Sequence, residues 1–153
     1  SGKKYKLSWL AKTVDQSDGI KADSFVAILG NRHSKDGERI KGYFKNRMNH
    51  KDIDTTSFKN LSEEDSYVIL DVRTPEEFIT GHLKGASNID FYDEIFEDKI
   101  DEFDKKKKYL IYCRSGSRSR QAMFLMRDLG FEEVYNLESG IISWNDHGYQ
   151  IEK

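Results

Sequence analysis

Tyr109-Leu110-Ile111-Tyr112-Cys113-Arg114-Ser115-Gly116-Ser117-Arg118-Ser119 runs from an apolar stretch, through the chain's one cysteine, into a small cationic loop. Beyond it, Ala122, Leu125, Met126 and Leu129 recur at the spacing of one helical face, which predicts a helix over 117–129. A strand, a thiol, a tight loop and a helix in that order point backbone N–H groups and a helix N-terminus at the sulfur. A thiolate so placed is stabilised by the helix dipole and by nearby arginines, and ionises well below the free value of about 8.5. The bland alternative, a buried cysteine closing a core strand, is disfavoured by two arginines and a glycine within five residues of the thiol.

The same alternation extends outward on both sides. Tyr67–Leu70 reads as a buried strand ending at Asp71-Val72-Arg73, and Thr74-Pro75-Glu76-Glu77-Phe78 reads as a helix start. Thr74 is the N-cap, Pro75 the first helical residue and Glu77 the reciprocal partner of a capping box. Gly81 stops that helix, and residues 86–89 form a second strand. Tyr92, Phe96, Ile100 and Phe103 share one helical face, predicting a helix over 91–103; Glu133–Leu137 is a strand and Ile141–Asp146 a short helix. Strands alternating with helices predict an α/β fold whose parallel sheet is covered on both faces. Ligands of such sheets bind at the carboxyl ends of the strands, where Asp71 and Cys113 both fall.

Composition narrows the chemistry. With 153 residues and nine Phe, eight Tyr and two Trp, the chain has ample core material for one domain and an appendage. A single cysteine excludes an intramolecular disulfide and any multi-thiolate zinc site, and His33, His50, His82 and His147 are too scattered to chelate a metal. No apolar run reaches membrane-spanning length and no signal peptide is visible. The opening Ser1-Gly2 reads as the remnant of a removed tag, so the compartment stays open between cytoplasmic and exported. Charge is asymmetric: residues 1–50 carry 11 Lys and Arg against 5 Asp and Glu, whereas the rest carries 14 against 22. The basic prefix could meet an acidic partner or fold back on its acidic neighbour, but it has no nucleic-acid-binding motif. Leu7, Trp9, Phe25 and Ile28 could dock on the main domain.

Four segments together resemble the rhodanese homology domain: Leu70 to Phe78, Gly81 to Ile89, Cys113 to Ser119, and Gly130-Phe131 with Trp144 ahead of Gly148. The likeness covers residues 52–153 and leaves 1–51 as an N-terminal extension of unread role. It implies a rhodanese-like α/β fold with a central parallel sheet of about five strands and helices on both faces. Two positions depart from the family pattern: Asp90 stands where proline is usual after Asn-Ile, and Ser139 takes the first of two glycines before Ile141.

The resemblance implies a sulfurtransferase that needs no cofactor. Cys113 attacks the outer sulfur of a small anionic donor such as thiosulfate, holds it as a persulfide, and passes it to a thiol or cyanide; a protein thiol is a further acceptor. The loop agrees with that chemistry. Amides from Arg114 to Arg118 form an anion nest, Arg114 and Arg118 pair with the departing sulfite, Gly116 permits the turn, and Ser115 and Ser117 leave the mouth open. For Asp71 and Arg73, structural pairing that includes an Arg73–Glu77 bridge is favoured over substrate contact. His82 is expected to pack rather than to move protons, and Arg120 to be solvated. Two other functions compete. A cysteine-dependent phosphatase would carry arginine one residue later, where this chain has Ser119. A regulatory or sulfur-carrying module without turnover generally lacks the cysteine that this chain keeps.

Overall fold

The computed structural model describes residues 49–153. The expectations for Leu7, Trp9, Phe25 and Ile28 lie outside the described residues. Ten elements follow in order: β1 (His50–Ile53), α1 (Thr55–Ser62), β2 (Tyr67–Asp71), α2 (Pro75–Ile79), β3 (Ser87–Asn88), α3 (Phe96–Asp101), β4 (Lys108–Tyr112), α4 (Ser117–Asp128), β5 (Glu133–Leu137) and α5 (Gly140–Asp146). The strands make one five-stranded sheet, β1-β5-β4-β2-β3, with every pairing parallel.

β4 is central because it is apolar on both faces, as a doubly covered parallel strand must be. Tyr109, Ile111 and Cys113 join a core with Phe96 and Ile100 of α3 and with Ala122, Met123 and Met126 of α4. Leu110 and Tyr112, alternating with them, face a second core built on Phe58 of α1, Leu83, and Ile141 and Trp144 of α5. Phe58 meets both Tyr112 and Trp144 edge to face, at centroid distances of 6.5 and 6.3 Å. Full burial of such a side chain stabilises by about 1.5–3 kcal/mol, so Phe58 anchors α1 although that helix offers few other apolar residues.

Two boundaries differ from the sequence expectation, and one helix lies outside it. The sheet begins at His50, two residues ahead of the 52–153 span of the resemblance: β1 pairs with β5 from His50↔Val134 to Ile53↔Leu137. His50-Lys51-Asp52 has no apolar alternation because β1 is an edge strand, held by its ladder and by the His50 ring on the Phe131 carbonyl at 2.6 Å. The helix expected over 91–103 shrinks to Phe96–Asp101, and Tyr92 is exposed. Carboxylates of Asp90 and Asp93 accept from the amides of Tyr92 and Ile95, at 2.9 and 3.0 Å, and divert the chain into turns. α1 has no sequence signal beyond Phe58 and Leu61, and it is capped by Asp54, whose side chain accepts from Ser57 N.

Candidate active site

The chain leaves β4 at Cys113, a carboxyl end of the central strand, and turns into α4 within four residues. Cys113 is fully buried, and its Sγ accepts from Gly116 N at 3.1 Å and from Ser119 Oγ at 3.3 Å. Burial pushes the thiol up; the Ser119 hydroxyl and the amides of Ser119, Gly116 and Ser115 pull it down further, so it ionises below its ordinary value.

Hydrogen bonding from outside the loop keeps those amides turned to the sulfur. The carbonyl of Cys113 accepts from Ile141 N at 2.9 Å, and that of Arg114 from Ile142 N at 3.3 Å. The Gly116 carbonyl is held by Asn136 Nδ2 at 3.1 Å and Arg120 N at 3.0 Å. With these carbonyls occupied on the outer side, the N–H groups remain for an anion. Two glycines make the close approach possible. Gly116 has a φ of +97°, and a Cβ there would meet Glu138 O at 2.0 Å; Gly140 has a φ of +64°, and a Cβ there would meet Arg114 O at 2.1 Å. Gly140 is thus the indispensable member of the Ser139-Gly140 pair. Ser139 occupies the N-cap position of α5 without a side-chain cap, and Asp90 acts locally by capping Tyr92 N.

The expected site residues fall into two groups. Arg114, Ser115 and Ser117 are exposed along the segment that follows the thiol, and Gly116, whose amide donates to the sulfur, is buried. Arg118 lies in the first turn of α4, and its guanidinium forks onto Glu77 of α2, Nη1 to Oε1 at 2.8 Å and Nη2 to Oε2 at 3.0 Å. Its Cζ also sits 5.5 Å from the Tyr92 ring centroid. Glu77 serves two ends at once, because the same Oε1 closes the capping box on Thr74. The hydrogen bonds from Arg118 and the Thr74 amide hold the Glu77 carboxyl down to about 2.

The Arg73–Glu77 bridge expected from sequence is not made, since Glu77 belongs to Arg118. Arg73 instead turns back onto Asp71, Nη2 to Oδ2 at 2.7 Å, and donates to Gly81 O at 2.7 Å. Both side chains are buried, and Asn88 Nδ2 ties the carbonyls of residues 71 and 73 together. This pair braces the turn after β2. His82 stacks on Phe78 at 3.9 Å with its Nδ1 on the Leu83 carbonyl, a packing position. Arg120, expected to be solvated, is largely exposed yet reaches Asp52 at 3.4 Å.

Two residues were missed by sequence reasoning. Ser119 was read only as the absence of an arginine, and Glu77 as a cap and a partner of Arg73 rather than of Arg118. Among the described residues no three His, Cys, Asp or Glu side chains converge to hold a metal ion, and no helix is long and apolar enough to cross a membrane.

Comparison with known proteins agrees with this fold. The family model of the rhodanese-like domain matches residues 54–147. A protein named sulfurtransferase from Allochromatium vinosum is 34% identical over 101 residues, 65% of this chain and 92% of that protein. A tRNA uridine(34) hydroxylase from Cytophaga hutchinsonii is 38% identical over 97 residues, covering 61% of this chain but only 31% of that protein. The crystal structure of a rhodanese-related protein from Thermoplasma volcanium superposes with a TM-score of 0.58 at 31% identity, over 67% of this chain and 97% of that one.

Proposed function

The chain belongs to the rhodanese-like domain family, and from that premise we propose that it is a sulfurtransferase working through a persulfide on Cys113. The observation that carries the reading is the pair of donors on Sγ, Gly116 N and Ser119 Oγ, backed by the loop amides. They stabilise a thiolate before reaction and the negative terminal sulfur after it. The thiolate attacks the outer sulfur of a sulfane donor. A sulfur–sulfur bond to Cys113 forms, the donor's own bond to that sulfur breaks, and the leaving group departs with the electron pair. A thiol or cyanide acceptor then attacks the outer sulfur and restores the Cys113 thiolate. Neither step requires a general base once the thiol is ionised, which suits a site where His82 packs elsewhere.

Phosphoryl transfer is the weaker reading. A phosphate on Cys113 needs a cation over its free oxygens, whereas the position where a phosphatase carries arginine is Ser119, turned onto the sulfur, and Arg118 is engaged by Glu77. The test is thiocyanate formation from cyanide with thiosulfate or an alkyl persulfide as donor, alongside aryl phosphate hydrolysis. Turnover with a donor, its loss in Cys113→Ser, and negligible phosphate release are expected. Phosphate release outpacing thiocyanate formation would reverse the assignment.

A further inference from the structure

Three arginines lie on or beside the loop, and two of them have carboxylate partners. Arg118 is forked onto Glu77, at 2.8 and 3.0 Å, and Arg120 is bridged to Asp52 at 3.4 Å. Arg114 is exposed and has no ion pair among the described residues. A carboxylate in contact with a guanidinium cancels most of its field a few ångströms away, so Arg118, which lies within Coulombic reach of Cys113, acts there as one half of a neutral pair. That pairing weakens the attraction of the mouth for a doubly charged ligand. The Glu77–Arg118 pair is also well placed to persist, because Tyr92 lies against the guanidinium and Thr74 fixes the carboxylate.

We infer that Glu77 sets the donor class of this site: by pairing with Arg118 it offsets a cation that acts on the thiol, which favours a singly charged organic persulfide over doubly charged thiosulfate. This rests on the sulfurtransferase reading above. The thiolate of Cys113 attacks the terminal sulfur of R–S–SH, the new sulfur–sulfur bond forms, the donor bond breaks, and R–S⁻ leaves with the electron pair and takes up the proton. Cys113 is oxidised by two electrons to the persulfide as the donor is reduced by two to its thiol. Thiosulfate obeys the same balance, but sulfite leaves with two charges, which the mouth must neutralise.

The test is the rate at which Cys113 gains one sulfur, followed by intact mass without any acceptor, using thiosulfate and 2-hydroxyethyl persulfide as separate donors. Glu77→Gln keeps an amide oxygen for the capping box and frees Arg118. Thiosulfate loading is expected to rise about tenfold in Glu77→Gln, while persulfide loading stays within about twofold. In the wild type, Arg118→Gln should lower thiosulfate loading by less than about threefold, and added to Glu77→Gln it should abolish the gain. Thiosulfate loading that falls or is unchanged in Glu77→Gln, or an Arg118→Gln loss as large in the wild type as in the Glu77→Gln background, would overturn the donor assignment. Failure of both donors to load the wild-type protein would overturn the sulfurtransferase reading itself.

Discussion

Ser119→Ala isolates the hydroxyl that meets the sulfur. Ser119 is buried, and Ala removes one oxygen without adding bulk, so the fold is expected to survive. The lost contact is Oγ to Sγ at 3.3 Å, a hydrogen bond whose acceptor carries charge only as the thiolate. Such bonds contribute about 1.5–3 kcal/mol. The lower end applies, because the same hydroxyl also lies 3.3 Å from the Gly116 carbonyl and donates one proton at a time. A loss of about 1.5 kcal/mol is roughly a factor of ten in the thiolate-to-thiol ratio at fixed pH. The assay is alkylation by iodoacetamide across a pH series. The midpoint should move upward by about one pH unit, with the two proteins converging at pH values above both midpoints. Convergence separates a change in ionisation from a change in access. An unmoved midpoint would show that the loop amides alone hold the thiolate.

Other perturbations reach the scaffold around the sulfur. Asp71→Asn leaves the buried Arg73 guanidinium uncompensated and should destabilise by about 3–5 kcal/mol in urea unfolding; a loss below about 1 kcal/mol would contradict a bracing role. Gly140→Ala places a Cβ 2.1 Å from the Arg114 carbonyl at a φ of +64°, so an unfolding loss of about 2 kcal/mol or more and a raised Cys113 alkylation midpoint are expected together. The Glu77 carboxyl is held down from its ordinary 4.5 to about 2, so its folded-state value lies below the unfolded one. Its contribution is therefore complete above about pH 4.5 and lost as the pH falls toward 2. The stability difference between wild type and Glu77→Gln, measured by urea midpoints, should shrink across that window, and a difference independent of pH would remove Arg118 as its cause.

The loop was legible in the sequence because its parts are local. The thiol, Gly116 and the start of α4 lie within a few residues, and each has a composition signal. The parallel sheet was legible where strands are buried on both faces, as in β4. β1 was not, because an edge strand reading His-Lys-Asp-Ile carries charge where alternation was sought. α3 was overestimated because a helical spacing of aromatics says nothing about Asp90 and Asp93 capping the backbone into turns. Glu77 was visible as a capping residue, but its partner Arg118 lies 41 positions away, beyond any local pattern. Ser119 carried a weak signal: it stands six residues after the thiol, on the first turn of α4, where a hydroxyl projects back toward the loop.

The most direct measurement is the intact mass of the protein after incubation with an alkyl persulfide and removal of excess donor. Cys113 is the chain's one cysteine, so a stable added sulfur has one thiol on which to reside. The wild type should gain one sulfur atom, lose it on exposure to cyanide with formation of thiocyanate, and accept it again in a second cycle. Cys113→Ser should gain none. A wild-type mass that stays unchanged under conditions where the thiol alkylates readily, or a sulfur gain equal in Cys113→Ser, would contradict persulfide transfer as the chemistry of this site.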